Sequence, residues 1–182
     1  MTTQYQKPRP HGRFGKFNII LSCLLLMGST SAWAACKTEA EIPSSTPTEQ
    51  FIDHGDGTVT DTRTGLMWAK CSIGQTIPDC TGTATPRNWR GVLLDADASA
   101  LGGYNDWRAP NIRELQSIVE QRCDDPTINE DVFPNTPSTN YQTGSPSGSD
   151  SANSWYVNFS DGTSFTGTRF QNASVRLVRG GP

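Results

Sequence analysis

The chain has 182 residues, 34% hydrophobic and 18% charged, with 17 Gly and 12 Pro. That is the length of one domain, poor in apolar residues and rich in turn formers, and no apolar run reaches the ~20 residues a membrane span needs. These features argue against a multidomain enzyme, a transporter, a coiled coil or a repeat array, and the formal charge of −3 averages two unlike parts.

The first part reads as an export signal. Lys7, Arg9, Arg13 and Lys16 precede the apolar run 17–28, and Ala32-Trp33-Ala34 makes a small-x-small cleavage site. Residues 1–34 are therefore expected to be a signal peptide, of the general secretory kind because the basic stretch has no Arg-Arg pair. Cleavage after Ala34 removes four of the 15 basic residues and none of the 18 acids, so the mature part carries −7. An acidic product repels phosphate backbones, and no nucleic-acid partner is expected. The expected location is periplasmic or extracellular, without a membrane-spanning segment.

Of the five cysteines, Cys23 lies in the apolar core of the signal, leaving Cys36, Cys71, Cys80 and Cys123. An even count in an exported chain reads as two disulfides. Cys71 and Cys80 flank a polar stretch with Gly74 and Pro78 that brings its ends together, so they pair first and leave Cys36 with Cys123. In the chain-entropy picture the two bridges contribute roughly 2.5 and 4.5 kcal/mol. A second reading of Cys36 is lipidation. Ala34-Ala35-Cys36 resembles the end of a lipobox, with Trp33 where an aliphatic residue is usual, and acylation would strand Cys123. The cysteines lack zinc-site spacing and His54 is the only histidine after the signal, so no metal is expected.

Residues 35–50 read as a polar leader or linker, and 51–181 as the domain. Asp56-Gly57 and Thr64-Gly65 turn the chain between short strand-forming runs, a β-meander. Trp89, Val92, Leu93, Ala96 and Ala100 fall at helical spacing, which predicts a helix over 88–100 ended by Gly102-Gly103. A second helix starts at Asn111, with Glu114 placed for a capping box. Its apolar face is Ile112, Leu115, Ile118 and Val119, and Arg122 and Cys123 close it. Residues 134–153 are almost wholly polar and read as a long surface loop. Trp155, Val157 and Phe159 alternate along a strand, Asp161-Gly162 turns it, and Phe165 lies on the return. Val175, Leu177 and Arg179 share one face of a last strand, with Arg176 and Val178 on the other. The pattern is α+β with short antiparallel strands and two helices.

Few residues suggest chemistry. His54 sits between Asp53 and Asp56 with no Gly-x-Ser-x-Gly elbow in the chain, and reads as a solvated turn histidine. The same run fails the EF-hand pattern at Gly55 and Gly57. Asp124-Asp125, Glu130-Asp131, Asp95 and Asp97 read as surface charges before they read as a glycosidase pair. Trp68, Trp89, Trp107 and Trp155 read as core, and Arg108 and Arg113 as loop ties at the second helix start. No catalytic constellation and no cofactor are expected.

The order of the motifs is familiar. Asp56-Gly57-Thr58-Val59-Thr60-Asp61 is followed by Thr64-Gly65-Leu66-Met67-Trp68, then by the Cys71 and Cys80 stretch. Asp106-Trp107-Arg108, Pro110-Asn111, Glu114-Leu115, Arg122-Cys123 and Phe133-Pro134-Asn135 come next. Trp155-Tyr156-Val157 and Val175-Arg176-Leu177-Val178-Arg179-Gly180 close the series. Over roughly 47–181 the chain resembles the Lcl C-terminal domain family, bacterial exported domains named for a collagen-like adhesin. The resemblance implies a compact α+β fold related to C-type-lectin-like and formylglycine-generating-enzyme-like domains. It implies no active site, and the matched motifs read as fold determinants. The expected function is non-enzymatic binding of a glycan or other surface ligand, through the 134–153 loop with Tyr104, Tyr141 and Tyr156. Aromatic faces would stack on sugar rings there. The other expectation is a structural or assembly component of a surface complex, with a surface protein as partner.

Overall fold

A computed structural model describes residues 1–3 and 36–181; residues 4–34 of the expected export signal 1–34 lie outside them. Among the described residues the strands are β1 (Phe51–Asp53), β2 (Thr58–Asp61), β3 (Leu66–Ala69), β4 (Asn140–Pro146), β5 (Asn153–Asn158), β6 (Ser164–Thr168) and β7 (Val178–Gly180). The helices are α1 (Trp89–Asp97) and α2 (Ile112–Gln116). One antiparallel sheet runs β1-β2-β3-β7 and a second runs β4-β5-β6. The architecture is mixed α+β, with two antiparallel sheets and two short helices. No helix of the described residues is long and apolar enough to cross a membrane.

Turn chemistry sets the first sheet. Gly57 and Gly65, at φ +89° and +69°, turn the chain into β2 and into β3, which pair with Val59 opposite Trp68. Asp61 is buried at the β2 end because its carboxylate is fully used. Oδ1 accepts from Gln50 Nε2 at 2.8 Å and from the Arg63 amide at 2.9 Å, and Oδ2 accepts from the Thr64 hydroxyl at 2.7 Å. A side chain on Gly57 would adopt a left-handed backbone and also meet Ile77 Cγ2, whereas Gly55, at φ +74°, faces open space. Gly57→Ala is therefore expected to cost about 2–3 kcal/mol and Gly55→Ala about 1. Thermal melts of the two variants check the difference, and equal losses would exclude the Ile77 contact as its cause.

The first sheet separates two apolar clusters because side chains alternate along its strands. Met67 and Ala69 of β3 point to one side, joining Val92, Ala96, Trp107, Val175 and Leu177. Trp68 points to the other, joining Val59, Leu115, Ile118, Phe133, Tyr141, Phe159 and Val178. The expected alternation in 175–179 is present: Val175 and Leu177 belong to one cluster and Val178 to the other.

Both helices start where the sequence predicts. Asn88 caps α1 by accepting from the Gly91 amide at 2.9 Å. At α2 the capping box is complete: Asn111 Oδ1 accepts from the Glu114 amide at 2.9 Å, and Glu114 Oε2 accepts from the Asn111 amide at 2.7 Å. Arg108 forks onto Glu114 with two 2.7 Å bonds, the loop tie expected of it. Both helices end early. α1 buries only the i, i+4 pair Val92 and Ala96, and Leu93, expected on its buried face, is 42% exposed. α2 stops at Gln116, so Ile118 reaches the core from the following turn, where Val119 bridges Ile128.

Two expected loops are built differently. Within 134–153 the chain forms β4, whose Tyr141, Gln142 and Thr143 are buried. Most of their polar groups have partners, the Gln142 side-chain carbonyl excepted among the described residues. Gln142 Nε2 donates to Ser154 Oγ at 2.6 Å, and Thr143 Oγ1 donates to the Trp155 carbonyl at 2.7 Å. The leader is docked rather than free. Ser44, Ser45 and Thr46 all donate to the carboxylate of Glu120, which is buried. Burial pushes the Glu120 carboxyl up, but these bonds and the Arg122 amide outweigh it and hold it at about 2.

The cysteines form Cys36–Cys123 and Cys71–Cys80. The Cys36 sulfur is thereby engaged with Cys123. Two bridges with no free thiol among the described residues fit an oxidising, extracytoplasmic compartment.

Candidate functional site

The three tyrosines expected to form a binding platform do not converge. Tyr141 is fully buried in the first cluster, its ring edge-on to Phe159 at 4.8 Å and its hydroxyl 2.6 Å from Ser72 Oγ. Burial pushes its phenol above the ordinary value. Tyr156 is fully buried too. Its ring stacks on Phe165 at 5.4 Å, and its hydroxyl donates to the Thr168 carbonyl at 2.7 Å. Neither ring has a face to offer a sugar, so the expected roles of Tyr141 and Tyr156 are corrected to packing. Tyr104 is half-buried against the second cluster, with the Arg179 guanidinium 3.8 Å from its ring centroid. Arg179 is itself held by Asp106 at 2.6 and 3.2 Å.

A different aromatic pair lines a groove. It is about 470 Å³, walled by Asn88, Trp89, Arg90, Ser151, Ala152, Arg169 and Phe170. Its parts come from the first turn of α1, the β4–β5 connection and the turn after β6. The capped start of α1 fixes Trp89, whose amide donates to the Arg169 carbonyl at 3.0 Å. The guanidinium of Arg169 lies over the Trp89 ring at 4.4 Å and donates to the Asn153 carbonyl at 3.2 Å. The Arg169 amide donates to the Ala152 carbonyl at 2.9 Å. These ties hold the groove without a ligand.

Two groups in the groove lack the environment their chemistry calls for. Phe170 is 82% exposed, the most exposed large hydrophobic residue of 36–181. The Trp89 indole N–H is buried with no hydrogen-bond partner among the described residues. An exposed aromatic face in the same groove as Trp89, whose indole N–H is buried but unsatisfied, suits a ligand with an apolar face and a hydroxyl able to reach that donor. Sequence reasoning placed Trp89 in the core and passed over Phe170. The available signal was a lone large aromatic in the polar run Thr166–Asn172, next to an arginine.

Two of the carboxylates considered for hydrolysis hold structural contacts. Asp95 is bound by Arg87 Nε at 2.6 Å, and Asp125 is bonded by the Ser138 hydroxyl. His54 Nε2 lies 2.8 Å from Thr60 Oγ1 at an exposed turn. No group of three or more metal-ligating side chains occurs among the described residues.

No curated protein matches the chain. The Lcl C-terminal domain matches residues 57–179, a span that takes in both helices, the second sheet, and the groove residues Trp89 and Phe170. The ordered motifs, the α+β architecture and a match over more than half of the length together establish that the chain belongs to the Lcl C-terminal domain family.

Proposed function

We propose that the folded chain is an exported, non-catalytic recognition module whose Trp89–Phe170 groove docks a carbohydrate. The observation that carries this reading is the pairing of a highly exposed Phe170 ring with the unpartnered indole N–H of Trp89 in one preformed groove. A ring face packs on the C–H face of a sugar while the indole donates to a hydroxyl. The two sheets flanked by short helices support the C-type-lectin-like relationship that the family resemblance implies. The two disulfides support work in the periplasm or outside the cell.

A glycan array probed with the purified, oxidised chain tests the proposal. Binding to a subset of glycans is expected, lost in Trp89→Ala and weakened about tenfold or more in Phe170→Ala. Tyr104→Ala should leave it unchanged. An array with no signal, or a signal indifferent to both groove variants, would reject the proposal.

A second reading, an assembly component of a surface complex, is favoured by Leu93 and Leu94, 42% and 59% exposed on the outer face of α1. It predicts one stoichiometric protein partner in a pull-down, released by Leu94→Asp.

A further inference from the structure

A second cleft, sharing no residue with the aromatic groove, lies where the docked leader meets the turn after β5. It is about 560 Å³, within the size range of small-molecule sites. Lys37, Arg122, Asp124 and Asp161 line it, with Ile42 and Val119 as its apolar walls. Its geometry is fixed on both sides. The Cys36–Cys123 bridge and a 2.7 Å bond from the Lys37 amide to the Arg122 carbonyl pin the leader wall. On the opposite wall, Asp161 Oδ1 accepts from the Thr163 amide and hydroxyl at 2.9 and 2.7 Å, which leaves Oδ2 available.

Several cations of the molecule are matched one-to-one to a carboxylate. Lys70, Arg87, Arg108 and Arg179 each close on a carboxylate at 2.6–2.7 Å. In the cleft, two cations and two carboxylates share one wall system, yet among the described residues none of the four pairs with another of the four. Arg122 instead reaches away to Glu39 at 2.9 Å, and its Nε is buried without a partner. Opposite charges held apart around an open volume leave room for a ligand that carries both signs.

We propose that this cleft binds a short zwitterionic peptide, its free ammonium facing Asp124 and Asp161 and its carboxylate facing Lys37 and the exposed part of the Arg122 guanidinium. Ile42 and Val119 take its side chains. Titrating the ¹⁵N-labelled, oxidised full chain with L-alanyl-L-alanine tests this. Saturable shifts are expected at the amides of Lys37, Asp124 and Gly162. The N-acetyl and the C-amide forms of the dipeptide each lack one charge and should bind about tenfold more weakly or worse. Asp124→Asn and Lys37→Gln should weaken the unmodified dipeptide by a similar factor. Both residues are exposed, so the melting temperature should hold, which confirms intact folding. Absence of saturable shifts, shifts that survive capping of either terminus, or shifts confined to other residues would each overturn the proposal.

Discussion

Replacing Glu120 with alanine is expected to lower the unfolding free energy by about 3–5 kcal/mol, one of the two largest single-residue effects in the domain. The carboxylate gathers donors that have no other partner. It accepts from the Ser44 hydroxyl at 2.6 Å, the Ser45 amide at 3.0 Å, the Thr46 amide and hydroxyl at 2.9 Å and the Arg122 amide at 3.1 Å. Truncation strands buried amides and frees the leader from the body. The same contacts make stability pH-dependent. Glu120 has its folded value lowered from 4.5 to about 2, so its contribution is complete above the ordinary carboxylate value. It is lost as pH falls from there toward about 2, because the unfolded chain takes up the proton first. Urea titrations at pH 6 and pH 3 should therefore show a loss in the wild type that Glu120→Gln largely lacks, since the amide does not titrate. An unchanged urea midpoint in Glu120→Ala would mean that the leader is not held through this carboxylate.

Arg176→Ala is expected to cost about 3–4 kcal/mol, from an unfilled volume and from acceptors left bare. The residue is fully buried, with partners that are neutral. Nη1 donates to the Ala69 carbonyl at 3.1 Å and also to the Lys70 carbonyl. Nη2 donates to Thr136 Oγ1 at 2.7 Å, and the guanidinium lies 4.6 Å from the centroid of Phe133. Burial pulls its ionisation below the ordinary arginine value, with the nearby Tyr141 acting against that. A solitary buried cation is costly, and what offsets the cost is the tie it makes between β3's end and the 133–136 turn. Arg176→Met, which keeps most of the volume and removes the charge, should recover part of the loss. Denaturant titrations of both variants check this. A methionine variant as stable as the wild type would show that the carbonyl ties contribute nothing net.

These two residues also mark where sequence reading stops. Local features were legible. Asn111 and Glu114 announce the capping box because both partners lie within one turn. The Cys71–Cys80 pairing follows from the short stretch between them, and it fixes the Cys36–Cys123 bridge by elimination. Alternation in 175–179 correctly assigned faces, although the strand itself is only Val178–Gly180. What failed depends on distant partners. Glu120 is recognisable as buried only when Ser44–Thr46, some 75 residues away, are seen to satisfy it. Tyr141 and Tyr156 lie in or beside polar sequence, and nothing local reveals that Ser72, Ser154 and Trp155 meet the polar groups around them. The strand β4 was hidden for the same reason: most of its polar groups are met by residues of the neighbouring strand. The groove corrects one assignment and adds a residue that was passed over. Trp89 has helical spacing with Val92 and Ala96, which reads as core, yet it lies at the helix start with its N–H unpartnered. Phe170 belongs to no periodic pattern.

The indole N–H resonance of Trp89, followed while a carbohydrate that binds the chain is titrated in, reports whether the groove is the recognition site. If the groove is the recognition site, that resonance moves downfield and saturates as the orphan donor gains an acceptor, and the amides of Arg169 and Phe170 move with it. If the ligand saturates the protein while Trp89, Arg169 and Phe170 stay unmoved, recognition occurs elsewhere and the proposed role of the groove is wrong.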